Sequence, residues 1–295
     1  MDNNQILIEN IKDLLRINKR SQSDLANFLN LPRQTISRIM NYEREMKIDE
    51  IEKTSKFLNA DINSLIQDKR VNHLTKTVIL FHGSGEARVI PKYKGGNDKH
   101  DYGNGFYLST NEELAKEWAV CNIKNDGYLH KYELDTTDLK ILYLNEKYDV
   151  LTWLAVLAKH RSADNTKRYK VNSEKLIAKY YFDEIEKYDV IVGYRADDSY
   201  FSFAKHTIKN EIDISLLELI MKTGDLGYQV FIQSKKAFTR LKEIDKNNEG
   251  YYLKVDHDEY FRKYDERDHL ARNKVAEMIN SDLNTLNDTL EKYLD

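Results

Sequence analysis

The chain has 295 residues, 46 of them Lys or Arg and 49 Asp or Glu, a balance that excludes an overall field drawing it to nucleic acid or membrane, so any such patch is local. Hydrophobic residues make up 41% and aromatics 11%, enough for ordinary cores; the single cysteine, Cys121, excludes a disulfide framework, and the eight scattered histidines lack the close spacing of a metal site. The polar start MDNNQILIENIKDLL is no signal peptide and nowhere do eighteen apolar residues run together, so no membrane partner and no metal are expected, and the cytoplasm is the expected compartment.

The length suits two domains. From Ile6 to about Gln67 the apolar spacing is helical: Ile8, Ile11, Leu14 and Leu15, then Leu25, Phe28 and Leu29, then Ile36, Ile39 and Met40. Ser21 and Ser23 are candidate N-caps, Asn30 to Pro32 is a short break, and further helices are predicted over Asp49–Leu58 and Ile62–Ile66. Residues 1–68 therefore read as an all-α bundle, and the polar stretch KRVNHLTK, residues 69–76, as a linker. Strand texture begins at Thr77. Strands are predicted at TVILFH, GNGFYLS, YLHKYELD, LKILYL, YDVIVGY and YQVFIQ. Helices are predicted near Asn111–Ala119, Asp149–Lys159, Ser173–Ile185, Ser215–Lys222 and Lys236–Ile244. Residues 77–250 thus form an α+β domain. Residues 251–295 read as a C-terminal helical extension carrying an apolar stripe at Ile279, Leu283, Leu286, Leu290 and Tyr293. Such a stripe serves to dimerise, to pack on its own domain or to cover a cleft.

Within the bundle, SQSDLANFLNLPRQTISRIMNYERE has a small residue, Ala26, where two helices cross, then a short turn and a second helix. On that second helix Ile36 and Ile39 face inward, which leaves Arg33, Gln34, Thr35, Ser37 and Arg38 outward, side chains able to bond base edges and phosphates. Residues 5–67 resemble the phage-repressor and Cro-like helix-turn-helix family, which implies operator DNA as a partner, commonly bound by a dimer. Against a strong electrostatic drive, residues 1–69 hold eleven basic and eleven acidic side chains.

FHGSG, residues Phe81 to Gly85, ends the first strand on a histidine between an aromatic and a glycine. Alone, this reads as a capped strand and a turn. Some twenty residues on, DYGNGFYLSTNEELAKEWA carries Tyr107 on a strand and Trp118 on the following helix. A flat ligand such as nicotinamide fits between two such rings, with the bare backbone of Gly83 beside its carboxamide; the other reading of the pair is core. Together HGS, GFYLSTNEELAKEWA and YQVFI resemble the three motifs of the His-Tyr-Glu branch of the ADP-ribosyltransferase superfamily, which implies its split β-sheet. YDVIVGYRADDSYF and LLELIMKTGDLGYQVFIQSKKAFTRL resemble a bacterial family of unknown function assigned to that superfamily, over roughly residues 77–244.

The resemblance implies NAD as the substrate. His82 would bond a ribose hydroxyl, Gly83 would hold the carboxamide, Ser84 would add a polar contact, and Tyr107 and Trp118 would sandwich the ring. Where the superfamily has a glutamate facing the oxocarbenium-like centre, this chain has Gln229. Losing a charge about 4 Å away costs on the order of 2 to 4 kcal/mol of transition-state stabilisation; Asp198, with Asp197 second, in a loop after a strand, is the candidate to supply that charge or to orient or deprotonate the acceptor, the other reading being a pair that caps a turn before SYFSF. The implied activity is transfer of ADP-ribose to a protein or nucleic-acid acceptor, in a toxin-antitoxin or phage-defence setting with an antitoxin or a second copy of the chain as partner. Water as acceptor would make an NAD glycohydrolase. The other class is a transcription regulator that senses NAD or ADP-ribose without catalysis.

Overall fold

A computed structural model describes residues 3–18, 20–58, 60, 62–66, 73–95, 99–161, 165–196, 198–223, 227–281 and 290–294. They fall into two units. The first comprises Met1–Arg70 with Ile214–Asp225, and the second Val71–Asp213 with Leu226–Asp295. Much of the expected linker, residues 69–72, lies outside the described residues.

The first unit is helical: α1 (Asn3–Ile17), α2 (Gln22–Leu29), α3 (Arg33–Met40), α4 (Ile48–Phe57) and α5 (Ile62–Ile66). Ser21 starts α2 with a capping box: Asp24 N donates to Ser21 Oγ at 3.1 Å and Ser21 N donates to Asp24 Oδ2 at 2.7 Å. The other candidate cap, Ser23, lies inside α2, because a helix takes one N-cap and Ser21 holds it. Asn30 ends α2 in the left-handed region at φ 52°, a conformation asparagine tolerates, and Pro32 precedes α3 with its φ preset. Ala26 is buried, as are Leu25, Ile36, Ile39 and Met40. The turn between α3 and α4 is tied by a two-pronged pair: Arg44 Nη1 and Nη2 donate to the two Glu50 oxygens at 3.0 and 2.8 Å.

The second unit has β1 (Thr77–Ser84), β2 (Phe106–Ser109), α6 (Glu112–Val120), β3 (Gly127–Asp135), β4 (Ile141–Tyr143), α7 (Leu144–Lys147), α8 (Val150–His160), α9 (Lys167–Tyr180), β5 (Val190–Tyr194) and α10 (Asp198–Ile208). Next comes α11 (Ile214–Thr223), which belongs to the first unit, where Arg16 reaches Glu218 at 3.2 Å. The second unit resumes with β6 (Tyr228–Ile232), α12 (Lys235–Arg240), β7 (Leu241–Ile244), β8 (Leu253–Val255), α13 (His257–Ser281) and α14 (Glu291–Leu294).

The predicted α+β layout is what forms. The sheet runs β4-β5-β6-β2-β1-β3-β7 with β8 also on β3, and among the described residues the strands pair antiparallel except β4 with β5. Strand alternation separates the faces. Leu80, Leu108, Tyr132, Val192 and Val230 pack with Ala237 of α12, while Phe81 and Leu129 pack with Ala115, Ala119 and Val120 of α6.

Several boundaries differ from expectation. The helix predicted over Lys236–Ile244 stops at Arg240, and LKEI forms β7 because it finds β3 as a partner through Glu243 opposite Tyr132. α9 starts at Lys167, ahead of Ser173, and a separate 3-10 turn spans Asp183–Lys187. The stripe expected at the C-terminus is not carried by one helix. Leu283 and Leu286 lie outside the described residues, as does the Ile279 side chain, and Leu290 sits in the turn before α14. The described parts of the extension pack on their own domain: Arg267 of α13 holds Glu117 of α6 at 2.6 and 3.1 Å, and Tyr180 of α9 donates to Tyr293 O at 3.0 Å.

Candidate functional site

Strands β1, β2 and β6 are neighbours in the sheet, so three segments far apart in sequence meet there. Phe81, Ser109, Gln229 and Gly193 form one row across β1, β2, β6 and β5. β1 pairs with β3 over eight residues but with β2 only at Phe81 opposite Ser109. A side chain takes over where that ladder stops: His82 Nδ1 lies 2.8 Å from Tyr107 O. A carbonyl only accepts, so Nδ1 carries the proton and Nε2 is left as an acceptor. Burial, helped by the neighbouring His130, lowers the His82 pKa from 6.5 to about 4 against the opposing effect of the Tyr107 bond. The ring is therefore neutral at pH 7. It lies 4.5 Å from Phe106.

Gly83 has a role the sequence did not reveal. A Cβ there would stand 1.9 Å from Ala115 O and 2.6 Å from Ala119 N, both backbone atoms of α6. The glycine is required for helix-on-strand contact, and it is this contact that sets where α6, and with it Trp118, stands. Ser84 Oγ accepts from Glu86 N at 3.1 Å and stabilises the turn after β1.

Tyr107 is fixed at its hydroxyl, which accepts from Tyr102 N at 3.1 Å and donates to Gly103 O at 2.7 Å. Burial and the Asp101 charge raise its pKa, so the hydroxyl keeps its proton. Its ring leans on Phe231 at 4.8 Å. Trp118 has a different neighbour. The guanidinium of Arg195, the first residue after β5, lies over its indole at 4.1 Å, a cation-π contact made by a residue only 7% exposed. Tyr107 and Trp118 share no ring contact; a ring held between them would need a gap about 7 Å wide, two stacking distances.

Gln229 is 3% exposed and its amide is spoken for. Nε2 donates to Asp101 Oδ2 at 2.9 Å and to Tyr194 O at 3.1 Å. Both partners only accept, which dictates the amide orientation and leaves Oε1 as its remaining acceptor. Asp101 is the residue that sequence reading missed. It is 7% exposed, takes Ala196 N on Oδ2 at 2.9 Å, and takes Arg161 Nη1 on Oδ1 at 3.0 Å. The same Arg161 nitrogen donates to Ala196 O at 2.7 Å, and its guanidinium lies 3.8 Å from the Phe201 ring. One carboxylate thus ties the loop before β2, the end of α8, the segment after β5 and the start of β6. The signal was in DYGNG, an acid just before the glycines that lead into β2.

Of RADD, Arg195 and Ala196 join this junction. Asp197 lies outside the described residues; Asp198 opens α10, with its side chain outside the description. Lys235 and Lys236 start α12 exposed.

On α3 the residues Arg33, Gln34, Ser37 and Arg38 are exposed, Thr35 is half-buried, and Ile36 and Ile39 are buried. Arg38 Nε lies 3.7 Å from Glu43. Among the described residues no group of three or more His, Cys, Asp or Glu is placed to hold a metal, and no helix is long and apolar enough to cross a membrane.

The second unit is therefore a mixed α/β domain in which three segments distant in sequence meet on the neighbouring strands β1, β2 and β6. Residues 78–242, more than half of the chain, match the family described as Protein of unknown function (DUF3990), and the chain belongs to that family. No curated protein and no solved structure matches it.

Proposed function

We propose that the second unit is an ADP-ribosyltransferase acting on NAD and that the first binds DNA through α3. The observation that carries the enzyme reading is the convergence of the motif strands: β1, β2 and β6 lie side by side, with His82 bonded across the gap to Tyr107 O. In the proposed reaction the bond between the ribose C1′ and the nicotinamide nitrogen breaks. Its electron pair stays on nitrogen, which neutralises the pyridinium, and an acceptor oxygen or nitrogen bonds C1′ and gives up its proton to solvent. His82 Nε2 would accept from a ribose hydroxyl, and the neutral ring suits that task. The Gly83 backbone would hold the carboxamide, with Ser84 beside it. Trp118 would stack the pyridinium, and a flat cation, the Arg195 guanidinium, already favours that indole face. Gln229 Oε1 would accept from the ribose 2′-hydroxyl.

Purified protein incubated with NAD, with released nicotinamide quantified by chromatography, tests this. Release by wild type, lost in folded His82→Ala, supports turnover. A non-catalytic NAD or ADP-ribose sensor is the second reading, favoured by the amide at 229; saturable NAD binding without release, together with NAD-dependent operator affinity, would select it.

The DNA reading is supported by the exposed row Arg33, Gln34, Ser37 and Arg38 at the start and outer side of α3, backed by the buried Ile36 and Ile39. Operator DNA is the proposed partner of the first unit, and a protein or nucleic-acid acceptor that of the second.

A further inference from the structure

We propose that Asp101 carries the negative charge of this site and that Gln229 is an amide because of it: the pair holds one charge, which can sit on either residue but not on both. The inference rests on the transferase reading for its functional half and on hydrogen-bond geometry for its structural half.

Gln229 Nε2 lies 2.9 Å from Asp101 Oδ2. A glutamate at 229 would therefore set two carboxylates at hydrogen-bond distance inside the fold, where like charges cannot both persist. Among the described residues the donors to Asp101 suit one anion: Arg161 on Oδ1, and Ala196 N with the Gln229 amide on Oδ2. Among the described residues, charged or titratable groups facing it include Arg161 from the end of α8, with Tyr102 and Tyr107 from the loop and strand beyond it, and its charge raises the pKa of both tyrosines. Arg161 is the cation that pairs with Asp101, at 3.0 Å.

The functional half follows from orientation. Because Asp101 and Tyr194 O both hold Nε2, the amide cannot rotate, and Oε1 is the atom it offers. Asp101 is thus a positioning residue for Gln229. Through its neighbours Tyr102 and Gly103, which hold the Tyr107 hydroxyl, it also fixes the aromatic of β2.

The test is a double-mutant cycle on the full chain: wild type, Asp101→Asn, Gln229→Glu and the double variant that moves the carboxylate to position 229. Thermal midpoints are measured from pH 5 to pH 8, and nicotinamide release from NAD at pH 7.5. Gln229→Glu is expected to lose roughly 10 °C at pH 8, as for an uncompensated buried charge. That deficit shrinks toward pH 5 as one of the two carboxyls takes up a proton. Asp101→Asn is expected to lose a comparable amount at every pH, and the double variant to recover more than half of the summed loss. Additive losses, or a Gln229→Glu midpoint equal to wild type and flat with pH, would overturn the pairing.

For release, Asp101→Asn is expected to lower kcat about tenfold with KM changed less than threefold, the effect of one mispositioned group, and the double variant to regain it. Wild-type rates in folded Asp101→Asn would overturn the positioning role. If wild type itself releases no nicotinamide, the transferase reading fails, and the stability cycle alone then decides the pair: coupling upholds it and additivity rejects it.

Discussion

Substituting Gly83 by alanine separates two meanings of that glycine. If it is bare so that a ligand can approach, alanine leaves the fold intact and weakens only NAD binding. The structure gives the other answer. The new Cβ would meet Ala115 O at 1.9 Å and Ala119 N at 2.6 Å, where ordinary contact begins at 3.4 Å. Neither partner is the end of a flexible side chain, so α6 as a whole would retreat from β1 by about 1.5 Å. The buried contacts between Phe81, Leu129, Ala115 and Ala119 would open with it. Overpacking of this kind costs about 3 kcal/mol, which lowers the midpoint of a domain near 200 residues by roughly 6 to 12 °C. Differential scanning fluorimetry of wild type and Gly83→Ala measures it. Trp118 rides on the same helix, so its emission should shift as well. A midpoint within about 2 °C of wild type, with unchanged emission, would refute the helix-packing explanation.

Further predictions concern groups around this junction and on α3. The His82 pKa is lowered from 6.5 to about 4 in the fold, so between these values the unfolded chain binds the proton first and stability falls as pH drops, by on the order of 3 kcal/mol in all. His82→Gln should flatten that part of the stability profile in urea titrations from pH 7 to pH 4; an unchanged slope would contradict the neutral-ring assignment. Arg195→Ala uncovers the Trp118 indole, and should raise acrylamide quenching of its emission and tighten nicotinamide binding, because the ring no longer competes with a guanidinium for that face. Equal quenching in both proteins would remove the stacking contact from the account. Arg33→Ala with Arg38→Ala should weaken DNA binding across sequences and reduce the salt slope by about 2 if both contact phosphates, measured by fluorescence anisotropy at several salt concentrations.

The elements were legible where local texture decides them. The β-branched run TVILFH forms β1, and YDVIVGY ends in β5 with every one of Val190–Tyr194 buried. Ala26, the Ser21 cap and the inward Ile36 and Ile39 also follow from spacing. What could not be read depends on contacts between distant segments. LKEI becomes a strand only because β3 offers an edge, and α10 was hidden behind RADD, which reads locally as a turn. Gly83 reads as freedom for a ligand until α6 is seen against it. Asp101 lies in a polar, glycine-rich stretch that reads as solvated loop, and its burial is created by Arg161, Ala196 and Gln229, which lie 60, 95 and 128 positions away.

The most direct test of the central claim is turnover of NAD by the purified chain, with His82→Ala and a heat-inactivated sample as controls and intact-mass analysis of supplied protein and nucleic-acid acceptors. Nicotinamide release above background that folded His82→Ala lacks is expected, with the mass of one ADP-ribose appearing on an acceptor or free ADP-ribose in solution. Folded wild-type protein that releases no nicotinamide above background would contradict that claim, whether or not it binds NAD.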